Sequence, residues 1–472
     1  MMCSRLGANA IVKMAKQLFG TDGIRGLPGE YPLDDATLER VGAALGAYLR
    51  AHSDSQTDSK AGAAKPRVLI GRDTRESGPH IAELIARGLT SAGAEPVSAG
   101  VVTTPGVAWL VSRENFAAGV VISASHNPYH DNGVKLISHN GMKFPDAVEA
   151  EIEKLILTPA SAGSSESASR VHLEDNEAID DDYLAGLRQT VLPGAKLAGM
   201  KIVLDCANGA ASALAPKLFR SLGADVIALN NAPDGKNINA GCGSLHPEAM
   251  QQRVRESGAA LGVAFDGDAD RALFATASGA LVNGDGVLLV LGRYMKSQKK
   301  LNANVIVGTT MANLGLERAL ENSGLSFVRT AVGDRYVLEE MQRIGANLGG
   351  EQSGHILLLD DATTGDGMLT AIKIASVVSI SGSLDSLVAD LKNFPQQIVN
   401  VKVKSKPPLE TLPEVWRRFT EAEKTLGKSG RVVLRYSGTE PLARVMVEAE
   451  HDSDVHHWTK TLADALRESI GA

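Results

Sequence analysis

"KIVLDCANGAASALAPKLFRSLGAD" occupies residues 201–225 and runs straight into "VIAL" (226–229). It opens with an unbroken apolar run, Ile202, Val203 and Leu204, as in a strand buried on both faces. A loop of small residues around Asn208 and Gly209 follows, then a stretch with apolar residues at helical spacing, then a second apolar strand. The same grammar recurs. "RVLIGRD" (67–73) precedes the helical "HIAELIARGLTSAGAE" (80–95), "AAGVVISAS" (117–125) is another strand, "AALGVAFDGD" (259–268) runs into an acidic loop, and "NVIVGTTMANLGLERALENSG" (304–324) repeats strand, loop and helix. Continuous apolar strands alternating with amphipathic helices predict α/β architecture with parallel sheets covered on both faces. Ligands of such sheets bind beyond the carboxyl ends of the strands, where the polar loops of this chain fall.

Toward the C-terminus the pattern changes. "QQIVNVKVKSK" (396–406) alternates like a half-exposed strand, "RVVLRYSG" (431–438) and "ARVMVEAE" (443–450) are further strands, and the last helix carries Val455, Trp458, Leu462 and Leu466 on one face. A smaller α+β domain from about residue 393 is expected. Two Ser/Ala/Gly-rich stretches, 51–66 and 158–170, read as surface loops.

The bulk composition excludes little but points one way. The 472 residues carry a net charge of −7 without a large basic run, which argues against nucleic acid as the partner. No apolar run is long enough to cross a membrane. Cys3, Cys206 and Cys242 have no metal-type spacing, so a reduced, cytoplasmic protein is expected. The 48 glycines sit largely in loops beside Ser, Thr, Asp and Arg, where backbone N–H groups can approach a phosphate. Met14 opens "MAKQLFGTDG", and residues 1–13 read as an extension before it.

Five loops carry chemistry. "AFDGDADRALF" (264–274) places Asp266, Asp268 and Asp270 at alternate positions after a strand. Three carboxylates so close repel unless a cation neutralises them, and hard oxygen ligands favour Mg²⁺ or Ca²⁺. The calcium-loop pattern fails, with Arg271 where glycine and Ala277 where glutamate would be needed. Mg²⁺ bridging to a phosphoryl oxygen suits the trio and its neighbour Arg271; a solvated acidic turn is the structural alternative. "ISASHNPYHDNGVK" (122–135) ends a strand at Ser125 and continues through His126, Asn127 and Pro128 to Lys135. Ser125 is the candidate nucleophile. His126, its neighbour in sequence, is expected to point away from it, and Lys135 to return over the loop. A capping serine in a turn is the alternative.

"RYSGTEPLAR" (435–444) packs Arg435, Ser437, Gly438, Thr439 and Arg444 into ten residues, a set of donors suited to a phosphate. "GGEQSGH" (349–355) sets Glu351, Ser353 and His355 in a glycine loop suited to sugar hydroxyls or an ammonium. "LFGTDGIRG" (18–26) supplies Thr21, Asp22 and Arg25. "GRDTRESG" (71–78) either shapes the surroundings of the nucleophile or is a plain turn; both readings stand. His451, His456 and His457 read as a solvated helix face, since adjacent helical residues face different ways.

In that order, from about Leu18 to the C-terminus, these loops resemble the alpha-D-phosphohexomutase superfamily. "FGTDGIRG", "GEQSGH" and "SGTEPL" make the chain most similar to the bacterial phosphoglucosamine mutases within it. The resemblance implies three mixed α/β domains of similar sandwich architecture plus a smaller C-terminal α+β domain, around a central cleft. The divisions it suggests are 14–178 with the serine loop, 179–276 with the metal loop, 277–392 with the sugar loop and 393–472 with the phosphate loop. It further implies an isomerase that interconverts glucosamine 6-phosphate and glucosamine 1-phosphate, a step toward UDP-N-acetylglucosamine. Ser125 would be a phosphoserine, and Mg²⁺ would be held by Ser125, Asp266, Asp268 and Asp270. Lys135, Arg25 and His355 would be catalytic, with Thr21, His126 and Arg271 in support. Glu351 and Ser353 would hold the sugar, and Arg435, Ser437, Gly438, Thr439 and Arg444 the distal phosphate. Glucosamine 1,6-bisphosphate would be intermediate and activator, turning end over end while the C-terminal domain swings on a hinge near residue 393. A homodimer belongs to the same expectation. The rival readings are a phosphomannomutase or phosphoglucomutase, a Mg²⁺-dependent sugar phosphatase, and a sugar-phosphate binding protein without turnover.

Overall fold

The structure, a computed structural model, describes residues 17–20, 22–53, 65–158, 173–176, 178–437 and 441–472. Of the residues singled out above, Thr21, Gly438 and Thr439 lie outside the described residues, as do the extension 1–13, Cys3, and most of the loops 51–66 and 158–170. The chain forms two compact units. The first holds the described residues up to Asn283 together with Ser353–Leu384, and the second holds Gly284–Gln352 with Asp385–Ala472.

Two five-stranded sheets build the first unit. One contains β1 (Ile24–Gly26), β2 (Arg67–Arg72), β3 (Glu95–Val101), β4 (Ala118–Ile122) and β5 (Asn132–Ser138), in the order β1-β5-β4-β2-β3. The other contains β6 (Lys201–Asp205), β7 (Asp225–Leu229), β8 (Leu261–Phe265), β9 (Ala272–Ala275) and β10 (Leu281–Val282), in the order β10-β9-β8-β6-β7. Three neighbouring strands of each sheet run parallel, β4-β2-β3 in one and β8-β6-β7 in the other, joined by helices such as Gly78–Ser91 and Ala211–Ser221. Strands β4 and β8 are buried along their whole length, as their unbroken apolar sequences require.

The sheets are mixed rather than purely parallel. After β4 the chain returns antiparallel as β5, and after β8 it returns antiparallel as β9. The connections, residues 123–131 and 266–271, contain no helix, and a parallel return needs a crossover of a dozen residues or more. Both reversals are the loops in which the sequence concentrates its serine and its aspartates. A further difference concerns the segment 80–95: the helix stops at Ser91, Gly93 takes φ +81°, and Glu95 already starts β3. A positive φ is easy for glycine and ends a helix.

The second unit repeats the parallel core once more. β11 (Val305–Thr309) pairs in parallel with β12 (Ser326–Thr330) on one side and β13 (Leu348–Gly350) on the other. Strand β14 (Ile356–Leu358) belongs to the first unit. The C-terminal part of the second unit is an antiparallel sheet of β15 (Gln396–Lys402), β16 (Gly430–Tyr436) and β17 (Leu442–Ala449), in the order β15-β17-β16. Helix Asp452–Ile470 covers it, placing Val455, Trp458, Leu462 and Leu466 in the core with Val401, Val445 and Val447. This is the smaller α+β domain that the alternating sequence predicts. Among the described residues no helix is long and apolar enough to cross a membrane.

Candidate active site

Ser125 stands just past the end of β4 with φ +50°. That backbone conformation costs a non-glycine residue on the order of 1–3 kcal/mol and persists only where surrounding contacts impose it. Here its N–H donates to Ser123 Oγ at 2.9 Å, and its carbonyl accepts from Arg75 at 3.0 Å and from Asn239 Nδ2 at 2.9 Å. The side chain is thereby turned toward the second sheet, and Oγ donates to Asp266 Oδ2 at 2.6 Å. The backbone of Gly267 passes so close that a Cβ there would lie 2.4 Å from the Ser125 carbonyl oxygen.

Asp266, Asp268 and Asp270 hang from the loop between β8 and β9, all buried, each offering a ligand oxygen within 4.8 Å of the other two. At that spacing each charged pair repels by on the order of 3 kcal/mol at an effective dielectric near 20. Burial, with the charges of Asp270 and Asp268, pushes the Asp266 carboxyl well above its ordinary range. Asp268 goes the other way. Burial opposes its ionisation, but the Lys135 ammonium and the Thr104 hydroxyl hold it well below the usual carboxylate range. Among the described residues, two buried oxygens, Asp268 Oδ1 and Asp270 Oδ1, have no hydrogen-bond partner. A carboxylate oxygen in that state costs free energy unless a cation meets it. The set fits a divalent ion of the hard, oxygen-seeking kind.

The cation expected to cross over the loop does so. Lys135 is buried, with Nζ 3.0 Å from Asp268 Oδ2, 3.1 Å from Asp22 Oδ2 and 3.8 Å from Asp270 Oδ2. Burial disfavours its charge, yet Asp22, Asp268 and Asp270 together raise its pKa above the ordinary lysine value. In this state Lys135 is a fixed positive charge, not a free base. Arg25 and Lys143 close the group from the other side through Asp22. The Arg271 guanidinium reaches Asp270 at 3.7 Å, and its backbone N–H donates to Asp266 Oδ1 at 3.1 Å. His355 Nδ1 lies 3.6 Å from Asp270 Oδ1.

His126 corrects the expectation drawn from its place next to Ser125. Its Nδ1 is 3.4 Å from Ser125 Oγ. Neighbouring side chains point apart in an extended strand, but the positive φ of Ser125 bends the chain and brings them together. Burial and the positive charges of Arg271 and Arg25 lower the His126 pKa, leaving a neutral imidazole beside the hydroxyl.

Several contributors carried no signal of their own. Thr104, at the start of the helix Thr104–Arg113, donates from Oγ1 to Asp268 Oδ2 at 2.6 Å and from N–H to the Asp268 carbonyl at 3.0 Å. Asn239 holds the serine loop from a different strand connection. Arg75 and Asp73, from the stretch left open between turn and support, lie buried beneath that loop.

Ser353, like His355, belongs to the first unit, while Glu351, Arg435, Ser437 and Arg444 belong to the second. Glu351 accepts from the Gly333 N–H at 3.0 Å. Arg435 and Arg444 are direct cross-strand partners on β16 and β17. Ser437 follows at the end of β16, its N–H bonded to the Leu442 carbonyl at 2.8 Å.

Profiles described as phosphoglucomutase/phosphomannomutase match the chain in four successive parts: alpha/beta/alpha domain I at residues 16–162, domain II at 181–279, domain III at 283–394 and the C-terminal domain at 398–465. A phosphoglucosamine mutase of Solibacter usitatus is 50% identical, covering 97% of this chain and 100% of that protein. One from Koribacter versatilis is 50% identical over 97% and 98%. Among solved structures, a phosphoglucomutase/phosphomannomutase family protein from Burkholderia thailandensis superposes with a TM-score of 0.77 at 23% identity, covering 96% of this chain and 99% of that one. N-acetylphosphoglucosamine mutase of Aspergillus fumigatus, in complex with GlcNAc-6P and magnesium, gives 0.65 at 18%, covering 97% and 96%.

Proposed function

The chain belongs to the phosphoglucomutase/phosphomannomutase family, and from that premise we propose that it is a phosphoglucosamine mutase, interconverting glucosamine 6-phosphate and glucosamine 1-phosphate. The observation that carries the chemistry is the 2.6 Å hydrogen bond from Ser125 Oγ to Asp266, set within a trio of buried carboxylates. Ser125 carries the phosphoryl group. It hands that group to the free hydroxyl of the sugar phosphate, and takes one back from the other end of the bisphosphate. Free Cys206 and Cys242 are in keeping with a reduced, cytoplasmic setting, and assembly as a homodimer is part of the same reading.

Asp266, Asp268 and Asp270 would hold Mg²⁺, which when bound supplies positive charge to the phosphoryl oxygens. The other roles fall to the protein's own groups. Lys135, kept cationic by its carboxylates, offsets charge that builds on the phosphoryl oxygens, with Arg25 and Arg271 nearby. Asp266 accepts the hydrogen bond of the Ser125 hydroxyl whenever the serine is bare. His126, neutral and 3.4 Å away, is the alternative acceptor at the same oxygen, and His355 backs Asp270. Glu351 and Ser353 hold the sugar. Arg435, Ser437, Gly438, Thr439 and Arg444 hold the phosphate that is not reacting, and Thr21 is a supporting residue.

A substrate panel with a trace of sugar bisphosphate tests the assignment. Glucosamine 6-phosphate is expected to turn over best, and a tenfold preference for mannose or glucose phosphate overturns the choice of sugar. Intact-mass analysis is expected to find a fraction heavier by about 80 Da, the added phosphoryl group, mapping to Ser125. Ser125→Ala should remain folded and lose isomerisation; surviving activity refutes the serine's role.

A further inference from the structure

The side chain of Arg75 is fully buried, and its five N–H groups meet five acceptors. Nε donates to Asp73 Oδ2 at 2.9 Å. One terminal nitrogen donates to the carbonyls of Pro128 and, at 2.9 Å, Asp131. The other donates to the carbonyls of Ser125 at 3.0 Å and Asn127 at 2.8 Å. Four carbonyls of one short loop therefore converge on a single guanidinium. Because a peptide unit is planar, fixing its carbonyl fixes the whole plane. Arg75 thus sets the planes following residues 125, 127, 128 and 131. Asp73 extends the hold, since its Oδ2 also accepts from Ser123 Oγ at 2.6 Å, and Ser123 Oγ accepts the Ser125 N–H. Asn239 adds a second donor to the carbonyls of Ser125 and Asn127.

We infer that Arg75 is a positioning residue for phosphoryl transfer: its guanidinium holds the serine loop in the positive-φ form that aims Ser125 Oγ at Asp266. The inference rests on the reading of Ser125 as the phosphoryl carrier. Without the clamp, Ser125 relaxes toward negative φ, and Oγ leaves the line of attack. Lysine cannot replace arginine here. It offers three donors on one nitrogen, against five in a planar fork.

Arg75→Lys keeps the buried positive charge opposite Asp73. It is expected to stay folded and to lose about 10²-fold in kcat, the scale of a misplaced reacting group, with KM for glucosamine 6-phosphate within about threefold. Phosphorylation of Ser125 by the bisphosphate should slow by the same factor. In Arg75→Ala, millimolar guanidinium should restore part of kcat. Asn239→Ala leaves the ion pair intact and carries the test wherever an arginine variant does not fold; a fall in kcat of about tenfold with little change in KM is expected. Folded Arg75→Lys turning over within threefold of the unaltered protein overturns the inference, as does Asn239→Ala with unchanged kcat. Absence of phosphate at Ser125 in the unaltered enzyme overturns the phosphoserine reading itself, so the two failures are distinguishable.

Discussion

Asp268 is held by two side chains that differ in what the sequence reveals of them. Lys135 stands ten residues past the serine in a loop already marked by its chemistry, and its return over that loop is legible. Thr104 is one of two threonines before a proline, a pattern that announces a helix start and nothing else. Only the fold brings it to a carboxylate 164 positions away in the chain. Asn239 was hidden for the same reason: its partners are backbone carbonyls of a distant loop, and backbone atoms leave no trace in composition; Asp73 and Arg75 lie in a stretch whose two readings the sequence alone left open. His126 was misjudged because side-chain direction follows φ, and the positive φ of Ser125 cannot be read from "SASHNP". The Thr104 hydroxyl keeps one Asp268 oxygen occupied and leaves Oδ1 for a cation. Thr104→Val is expected to weaken Mg²⁺ binding by about 10- to 100-fold, the usual effect of losing a group that orients a ligand, and Thr104→Ser to restore most of it. Calorimetric titration of the two variants checks this; equal affinity in all three proteins refutes it.

Strands and their companion helices follow from apolar runs and spacing, and most stand where the sequence puts them. The antiparallel returns β5 and β9 were the exception. Their strands look like any other, and only the lack of a helix in the preceding loop distinguishes them. At the element scale the site also depends on where helices begin. The helix Gly367–Ser381 starts at Asp366, whose carboxylate accepts from the Leu369 N–H at 2.9 Å and from the Tyr183 hydroxyl at 2.7 Å. Gly367 in turn donates its N–H to the Ala269 carbonyl, inside the aspartate loop. Burial raises the Asp366 pKa from 3.8 to about 6. The folded protein therefore keeps this proton after the unfolded chain has lost it. Stability falls as pH rises from about 4 to about 6, by about 3 kcal/mol from this group. Asp366→Asn is expected to flatten the stability curve over that window and leave its slope above pH 7 unchanged. Urea denaturation at closely spaced pH values tests it, and an unaltered slope between pH 4 and 6 counts against the assignment.

The loop after β4 bears the serine, the loop after β8 the aspartates, and the loop after β13 Glu351, Ser353 and His355. In each case a parallel strand runs into a loop rich in polar residues, and that recurrence made the α/β organisation legible from the sequence. What the sequence could not give is how the C-terminal sheet is fastened. A hinge near residue 393 suggests a domain held by its linker alone. Instead Asn313 bonds both the N–H and the carbonyl of Phe394, and Arg431 donates to the carbonyls of Thr310 and Ala312 at 2.7 Å each. Glu448, fully buried, pairs with Arg431 and accepts the Leu314 N–H at 3.0 Å. Any swing of β15–β17 against the segment 310–314 has to break this cluster. Arg431→Met leaves Glu448 buried without its cation, a defect that costs about 3–5 kcal/mol in comparable pairs. The expected result is that loss in the unfolding of the second unit, with hydrogen exchange rising together in 305–322 and 430–449. Replacing both partners, Arg431→Met with Glu448→Leu, removes the stranded charge and should recover much of the stability. A single variant within about 1 kcal/mol of the unaltered protein, or exchange that rises in only one of the two segments, would show that the cluster does not bind them into one cooperative body.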